Sequence, residues 1–286
     1  MTRTPIPVIL DTDIGGDIDD TWALAFLLRC PELDLKLAVA DTGDTQYRAR
    51  LLARLLETDG RADVPVGIGR PTDTHRTCRQ GQWVQNYDLK DYPGTVHEDG
   101  VGAMIETILQ SPVPVTLVCI GPVPNIAEAL EREPRIARNA RFVGMHGCIR
   151  RSQRGDGAVY PECNVVHGIA ACRAAFEADW EVTVTPLDTC GFVTLEGEHY
   201  RTVKTSEDPL LKALMENYRI WARNQKMPHL PEHRSSILFD TVAVYLAFRE
   251  DLLEMEELPV RVTDDGLTVV EPGAPRTRSG NSLYTG

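Results

Sequence analysis

Apolar and polar positions follow two different periods along this chain. Near-continuous apolar runs at 6–11, 34–41, 64–69, 113–120, 140–145 and 181–187 predict strands. Unbroken runs of that length suit parallel strands covered on both faces; a half-exposed strand would alternate instead. Between them, segments 20–30, 45–58, 100–110, 123–132 and 165–177 carry a helical period. In 45–58, Leu51, Leu52, Leu55 and Leu56 form the apolar stripe, and Arg48, Arg50 and Arg54 fall among the polar positions. Strand and helix in regular succession predict an α/β fold, a doubly wound and mostly parallel sheet flanked by helices with right-handed crossovers. Ligands of such sheets bind beyond the carboxyl ends of the strands.

The succession stops after residue 190. A long helical stretch, 206–226, leads to the loop Met227-Pro228-His229-Leu230-Pro231, and a second helix is expected over 239–249. Val260-Arg261-Val262 and Leu267-Thr268-Val269-Val270 flank Asp264-Asp265-Gly266, a hairpin signal. The C-terminal part is thus helical with a small hairpin, and the tail 272–286 is expected to be irregular. Residues 71–99 are polar with little period and are expected to form a loop over the site. No repeat or linker divides the chain, so 1–286 reads as one domain.

The densest chemistry lies at the end of the first run. Asp11-Thr12-Asp13-Ile14-Gly15-Gly16-Asp17-Ile18-Asp19-Asp20 holds five carboxylates between Val8-Ile9-Leu10 and the helical Trp22–Leu28. Crowded carboxylates raise one another's pKa, and a fold tolerates them where a cation is bound. Oxygen-rich clusters suit hard cations such as Ca²⁺ or Mg²⁺. Capping the helix needs only one or two acids.

Composition removes other classes. The formal charge of -12 argues against nucleic-acid binding, which needs a basic surface. No run of about 18 apolar residues suggests a membrane span. The N-terminus enters a strand directly, without the apolar region of a signal peptide. Seven cysteines with no Cys-x-x-Cys spacing suggest reduced thiols and a cytoplasmic protein.

Two readings of the acidic turn fail on residues. An EF-hand loop would need a bidentate Glu where Trp22 stands, and a strand, not a helix, precedes it. An aspartyl-phosphate phosphatase would use Asp11 and Asp13 as nucleophile and acid. It would not expect Gly15 after them, and it leaves Asp19 and Asp20 unexplained.

A third reading joins five segments. Asp11–Asp20 resembles the Asp-x-Asp…Asp-Asp signature of the inosine-uridine-preferring nucleoside hydrolase family. Gly121-Pro122-Val123-Pro124-Asn125-Ile126-Ala127 resembles its Gly-Pro-Leu-Thr-Asn-Ile-Ala segment. Phe142–Gly147 resembles its Met-Gly-Gly strand end, Pro161-Glu162-Cys163-Asn164 its Glu-Phe-Asn segment, and Leu238-Phe239-Asp240-Thr241 its late His-Asp motif. The resemblance implies Ca²⁺-dependent hydrolysis of a ribonucleoside to base and ribose. It implies Asp13, Asp20 and Asp240 as side-chain metal ligands and the Pro124 carbonyl as a further one. Asp19 would be the general base, Glu162 would hold the 5′ side of the ribose and Asn164 the 3′ side. Asp11 is expected to hydrogen-bond the turn. A homodimer or homotetramer is implied, with a small nucleoside as the partner and neither nucleic acid nor membrane.

The chain also departs from the family pattern. Asp44 and Asp156 stand where asparagines touch the sugar; carboxylates only accept hydrogen bonds. Asp44 fits equally as the cap of helix 45–58. Phe239 replaces the His proposed in part of the family to protonate the leaving base, and His229 or His233 are candidates to substitute. Tyr218 and Trp221 share a helix face and are candidates either for base stacking or for the core. His97 matches a His-containing segment and is a candidate pocket residue. Met145-His146-Gly147 either narrows the pocket or adds a polar contact. These departures keep two alternatives open, a hydrolase of another ribosyl compound or a non-catalytic nucleoside- or ribose-binding protein.

Overall fold

The computed structural model describes residues 4–74 and 77–283. Residues 1–3, 75–76 and 284–286, which belong to the N-terminal lead-in, the polar stretch and the tail, lie outside the described residues. Ten strands form one sheet: β1 Ile6–Thr12, β2 Leu33–Ala40, β3 Val66–Ile68, β4 Val96–His97, β5 Val115–Cys119, β6 Ala140–Met145, β7 Val182–Thr185, β8 Leu253–Val262, β9 Thr268–Val270 and β10 Arg276–Leu283. The helices are α1 Asp19–Leu27, α2 Thr45–Thr58, α3 Gly81–Val84, α4 Gly100–Gln110, α5 Pro124–Arg132, α6 Cys163–His167, α7 Ile169–Glu177, α8 Leu187–Cys190, α9 Gly197–Lys204, α10 Pro209–Asn224, α11 Leu230–His233 and α12 Phe239–Leu246. The strand order is β4-β3-β2-β1-β5-β6-β7-β10-β8-β9.

Strands β1 to β7 run parallel, and the central β1 and β5 are mostly apolar over their buried positions because helices cover both sides. Val8 and Leu10 point into one core, with Trp22, Leu51 and Leu52. Ile9 points into the other, with Met104, Leu117 and Ile126. The chain winds outward from β1 through β2, β3 and β4, then returns to place β5 on β1's other side. That reversal leaves a crevice outside the carboxyl ends of β1 and β5.

Three expectations need correction. The tail is not irregular: β10 inserts between β7 and β8, parallel to the first and antiparallel to the second. Its inward positions Thr277, Ser279 and Asn281 are buried but polar, so no apolar period announces the strand. The segment expected as one helix over 165–177 is two. Glu162 caps α6 by accepting from Asn164 N and Val165 N, and the helix breaks at Gly168, where a Cβ would lie 2.0 Å from the Pro122 carbonyl oxygen. The hairpin is present, but its first strand begins at Leu253, because exposed acids hide its early residues. The polar stretch 71–99 contains α3, a 3-10 turn at Leu89–Asp91 and β4. Its Arg79 N donates to Gly15 O at 2.9 Å.

Candidate active site

A cavity of about 480 Å³ opens in the crevice. Asp13 lines it just beyond β1, Ile120 beyond β5, Met145 at the end of β6 and Leu187 beyond β7. Thr77 and Arg79 also line it, so of the polar stretch expected over the site only this part reaches the cavity.

The acidic turn is shaped by Leu51, Tyr47 and Gln80 packed around it. Gly15 has φ +100°, and a Cβ there would lie 2.5 Å from Leu51 Cδ1 and 2.7 Å from the Tyr47 hydroxyl. Only glycine fits. Tyr47 Oη donates to Gly15 O at 3.2 Å, and Gln80 Nε2 donates to Asp17 O at 3.1 Å. From this turn α1 starts with Asp19 and Asp20, where acids are favoured by the exposed N–H groups. Packed beside α1, α12 starts with Phe239 and Asp240.

Asp19, Asp20 and Asp240 are all buried, and each offers an oxygen within 4.8 Å of the others'. Burial raises all three pKa values well above the ordinary carboxylate range, and the neighbouring acids raise them further. Thr12 Oγ1 donates to Asp20 Oδ1 at 2.5 Å. Arg48 is the nearby cation, with Nη2 3.7 Å from Asp13 Oδ2. Its other N–H groups are taken by Thr42 O at 2.8 Å and Ile14 O at 2.9 Å. One guanidinium does not balance four buried carboxylates. This hard-oxygen donor set fits a divalent cation of the Ca²⁺ or Mg²⁺ type.

Beneath the cavity lies a second polar layer. Asp11 is fully buried and accepts from Asn125 Nδ2 at 2.7 Å; burial pushes its pKa to about 7. Its partner is therefore α5, not the acidic turn that Asp11 was expected to bond. Asp41, also buried, accepts from Val123 N at 2.8 Å and so holds Val123 in its left-handed conformation, φ +59°.

On the facing wall Glu162 is buried, and its oxygens accept from Asn164 N at 2.8 Å and from Gly147 N and Val165 N at 3.2 Å. Burial outweighs these bonds and lifts its pKa to about 7. Asn164 Nδ2 donates to Met145 O at 3.0 Å and Ile120 O at 3.3 Å, tying the ends of β6 and β5 together.

The structure therefore brings Asp13, Asp19, Asp20, Asp240, Glu162 and Asn164 to one cavity. Asp44, Asp156, Trp221, His97, His229 and His233 lie outside its lining. Asp44 caps α2, accepting from Tyr47 N at 3.0 Å. Asp156 is exposed and accepts from Ala158 N and the Tyr160 hydroxyl. Trp221 packs in the core with its ring 5.8 Å from Tyr218. His97 sits half-buried on the edge strand β4, and His229 and His233 are exposed at α11. Pro124 opens α5 and lines a separate groove between α5 and α7. His146 turns away from the cavity, donating from Nε2 to Gly121 O at 3.0 Å and packing on Phe142 and Phe176.

Sequence reasoning missed Arg48, Asp41, Asn125 and His167, the last of which lines the cavity. For Arg48 a signal existed: it precedes Leu51 and Leu52 by three and four residues, so it shares their buried stripe.

The inosine-uridine preferring nucleoside hydrolase family model matches residues 8–282. The chain is 30% identical over 225 residues to the non-specific ribonucleoside hydrolase RihC of Klebsiella pneumoniae, covering 75% of this chain and 72% of that one. It is 32% identical to RihC of Salmonella schwarzengrund over 74% and 71% of the two chains. Among solved structures, a plant nucleoside hydrolase superposes with TM-score 0.78 at 22% identity, covering 99% and 95%. A purine-preferring ribonucleoside hydrolase from Gardnerella vaginalis gives 0.75 at 20%, covering 97% and 93%. These last two likenesses speak to fold.

Proposed function

We propose, because this chain belongs to the inosine-uridine preferring nucleoside hydrolase family, that it hydrolyses the N-glycosidic bond of a ribonucleoside to free base and ribose and uses Ca²⁺ to do so. The observation that carries this reading is the buried trio Asp19, Asp20 and Asp240 in the cavity that Glu162 and Asn164 wall. Asp20 and Asp240 would hold the cation, with Asp13 and the Pro124 carbonyl as the further ligands the resemblance implies. When bound, Ca²⁺ supplies positive charge that polarises water and gathers hydroxyl oxygens.

The protein's own groups do the rest. Glu162 and Asn164 orient the ribose in the same cavity. The surrounding carboxylates favour the positive charge that grows on the sugar as the bond to the base stretches. One carboxylate takes a proton from the attacking water, and Asp19 is the first candidate. A second assignment is favoured by position: Asp19 lies inside the trio, whereas Asp13 lines the cavity outside it, beside Arg48. On that assignment Asp13 is the base and Asp19 a ligand. Asp44 and Asp156 lie outside the cavity lining, so acids at those positions do not argue against an ordinary ribonucleoside.

Reducing-sugar release from a panel of purine and pyrimidine ribonucleosides tests the reading. Turnover is expected with Ca²⁺, and its loss on chelation supports the metal. No turnover on any member with the ion bound would overturn it. Asp19→Asn and Asp13→Asn separate the base from the ligand: the base variant keeps Ca²⁺ affinity and loses kcat. A homodimer or homotetramer is part of the proposal on the family likeness, and sedimentation velocity measures it. No helix among the described residues is long and apolar enough to cross a membrane, and all seven cysteines are free thiols. A cytoplasmic location fits those thiols.

A further inference from the structure

We propose that His167 is the general acid that protonates the departing nucleobase, an inference that rests on the ribonucleoside hydrolase reading. Phe239 occupies the motif position where the resemblance expects a histidine, and its ring lines the cavity. A phenyl ring has no proton to give. Among the described residues, His97, His199, His229 and His233 lie outside the lining, and His146 is buried among Phe142 and Phe176. His167 lines the cavity from α6, one turn after Cys163 and beside the wall formed by Glu162 and Asn164.

The other proton-bearing groups of the wall are committed. Tyr160 Oη donates to Asp156. Burial lifts the Cys163 thiol to about 12. Glu162 turns both oxygens to the backbone, Oε1 to Asn164 N and Oε2 to Gly147 N and Val165 N, so neither is presented to a departing base. Arg79 and Arg154 hold their protons too tightly to release them. An imidazole is the side chain whose ordinary pKa suits the task near neutrality.

The ring is also oriented. His167 Nδ1 lies 2.8 Å from the Cys163 carbonyl oxygen. A carbonyl only accepts, so Nδ1 carries a hydrogen, and the transferable proton of the imidazolium is on Nε2. In the step, the N-glycosidic bond breaks and its electron pair goes to the base nitrogen. The Nε2 proton passes to the base. The water oxygen bonds to C1′, its proton goes to the carboxylate base, and solvent reprotonates His167. Atoms and charge balance without another reactant.

The test compares leaving groups in the full-length, Ca²⁺-loaded protein. Inosine and uridine need protonation of the base, whereas 4-nitrophenyl β-riboside releases a stable phenolate. His167→Gln is expected to lower kcat/KM for the nucleosides about 100-fold or more and to leave the nitrophenyl riboside nearly unchanged. Equal loss on both substrates in a folded variant, or no loss on the nucleosides, would overturn the assignment. His167→Asn, checked by its melting temperature, gives the same comparison if the Gln variant fails to fold. A wild-type protein inactive on both substrates would instead overturn the hydrolase reading, and the assignment with it.

Discussion

Arg48 shows how far a single side chain departs from its place in the sequence. It is a charged residue on a surface helix, yet it is 1% exposed, because the acidic turn needs a fixed cation and two carbonyls need donors. Helical spacing pointed inward and the charge pointed outward; the carboxylates beside it decided the matter. The trio makes a sharper prediction. Asp240→Asn removes a charge from the donor set and should weaken binding of the proposed cation at least about 100-fold, more than the loss of a residue that only supports a ligand costs; calorimetry with Ca²⁺ on the purified protein reads this directly. His146 offers a pH test. Burial pushes its pKa from 6.5 to about 4. As pH falls below 6.5 the unfolded chain takes up a proton here that the native state refuses. This group's stability is therefore present above 6.5 and is lost by about pH 4, up to about 3 kcal/mol. His146→Gln removes that dependence. Denaturant unfolding at pH 7 and pH 4 should show the wild type losing ground to the variant; a constant difference would refute the burial argument.

Elements position these residues, and the turn before α1 is the least tolerant of them. Gly15→Ala forces a Cβ onto Leu51 and Tyr47 at a φ of +100°. It should cost about 1–3 kcal/mol, lower the melting temperature and weaken metal binding together; a lowered melting point with unchanged Ca²⁺ affinity would uncouple turn from site. Parallel strands such as β1 were legible in the sequence because a strand buried on both faces must be apolar, as Val8, Ile9 and Leu10 are; the two-residue edge strand β4, inside the stretch expected as a loop, was not. β10 was not, because its inward positions carry Thr277, Ser279 and Asn281. The split of α6 from α7 turned on a contact between Gly168 and the Pro122 carbonyl, which no local pattern records. The site divides the same way. Asp13, Asp19 and Asp20 are neighbours in the chain and announce themselves. Asp41, Asn125 and His167 are isolated polar residues whose meaning comes from the strand order that gathers their loops.

For the whole molecule, the sheet's midline and its last strand carry different duties. The reversal beside β1 makes the crevice, while β10 joins the parallel half to the β8–β9 hairpin. A chain ended at Pro275 loses the ladder to both β7 and β8. It should lose several kcal/mol, at about 0.5–1.5 kcal/mol for each hydrogen bond, and should unfold in a broadened or two-step transition by calorimetry. A single sharp transition at the wild-type temperature would show that the junction is dispensable. The position of β10 also orders events in time. During synthesis the strands from β1 to β7 emerge first and can pair as they appear, but β8, which packs on α7, and β9 have no strand of the parallel half to pair with until residues 276–283 follow. The hairpin then waits with an open edge, the state in which a nascent chain most needs a chaperone.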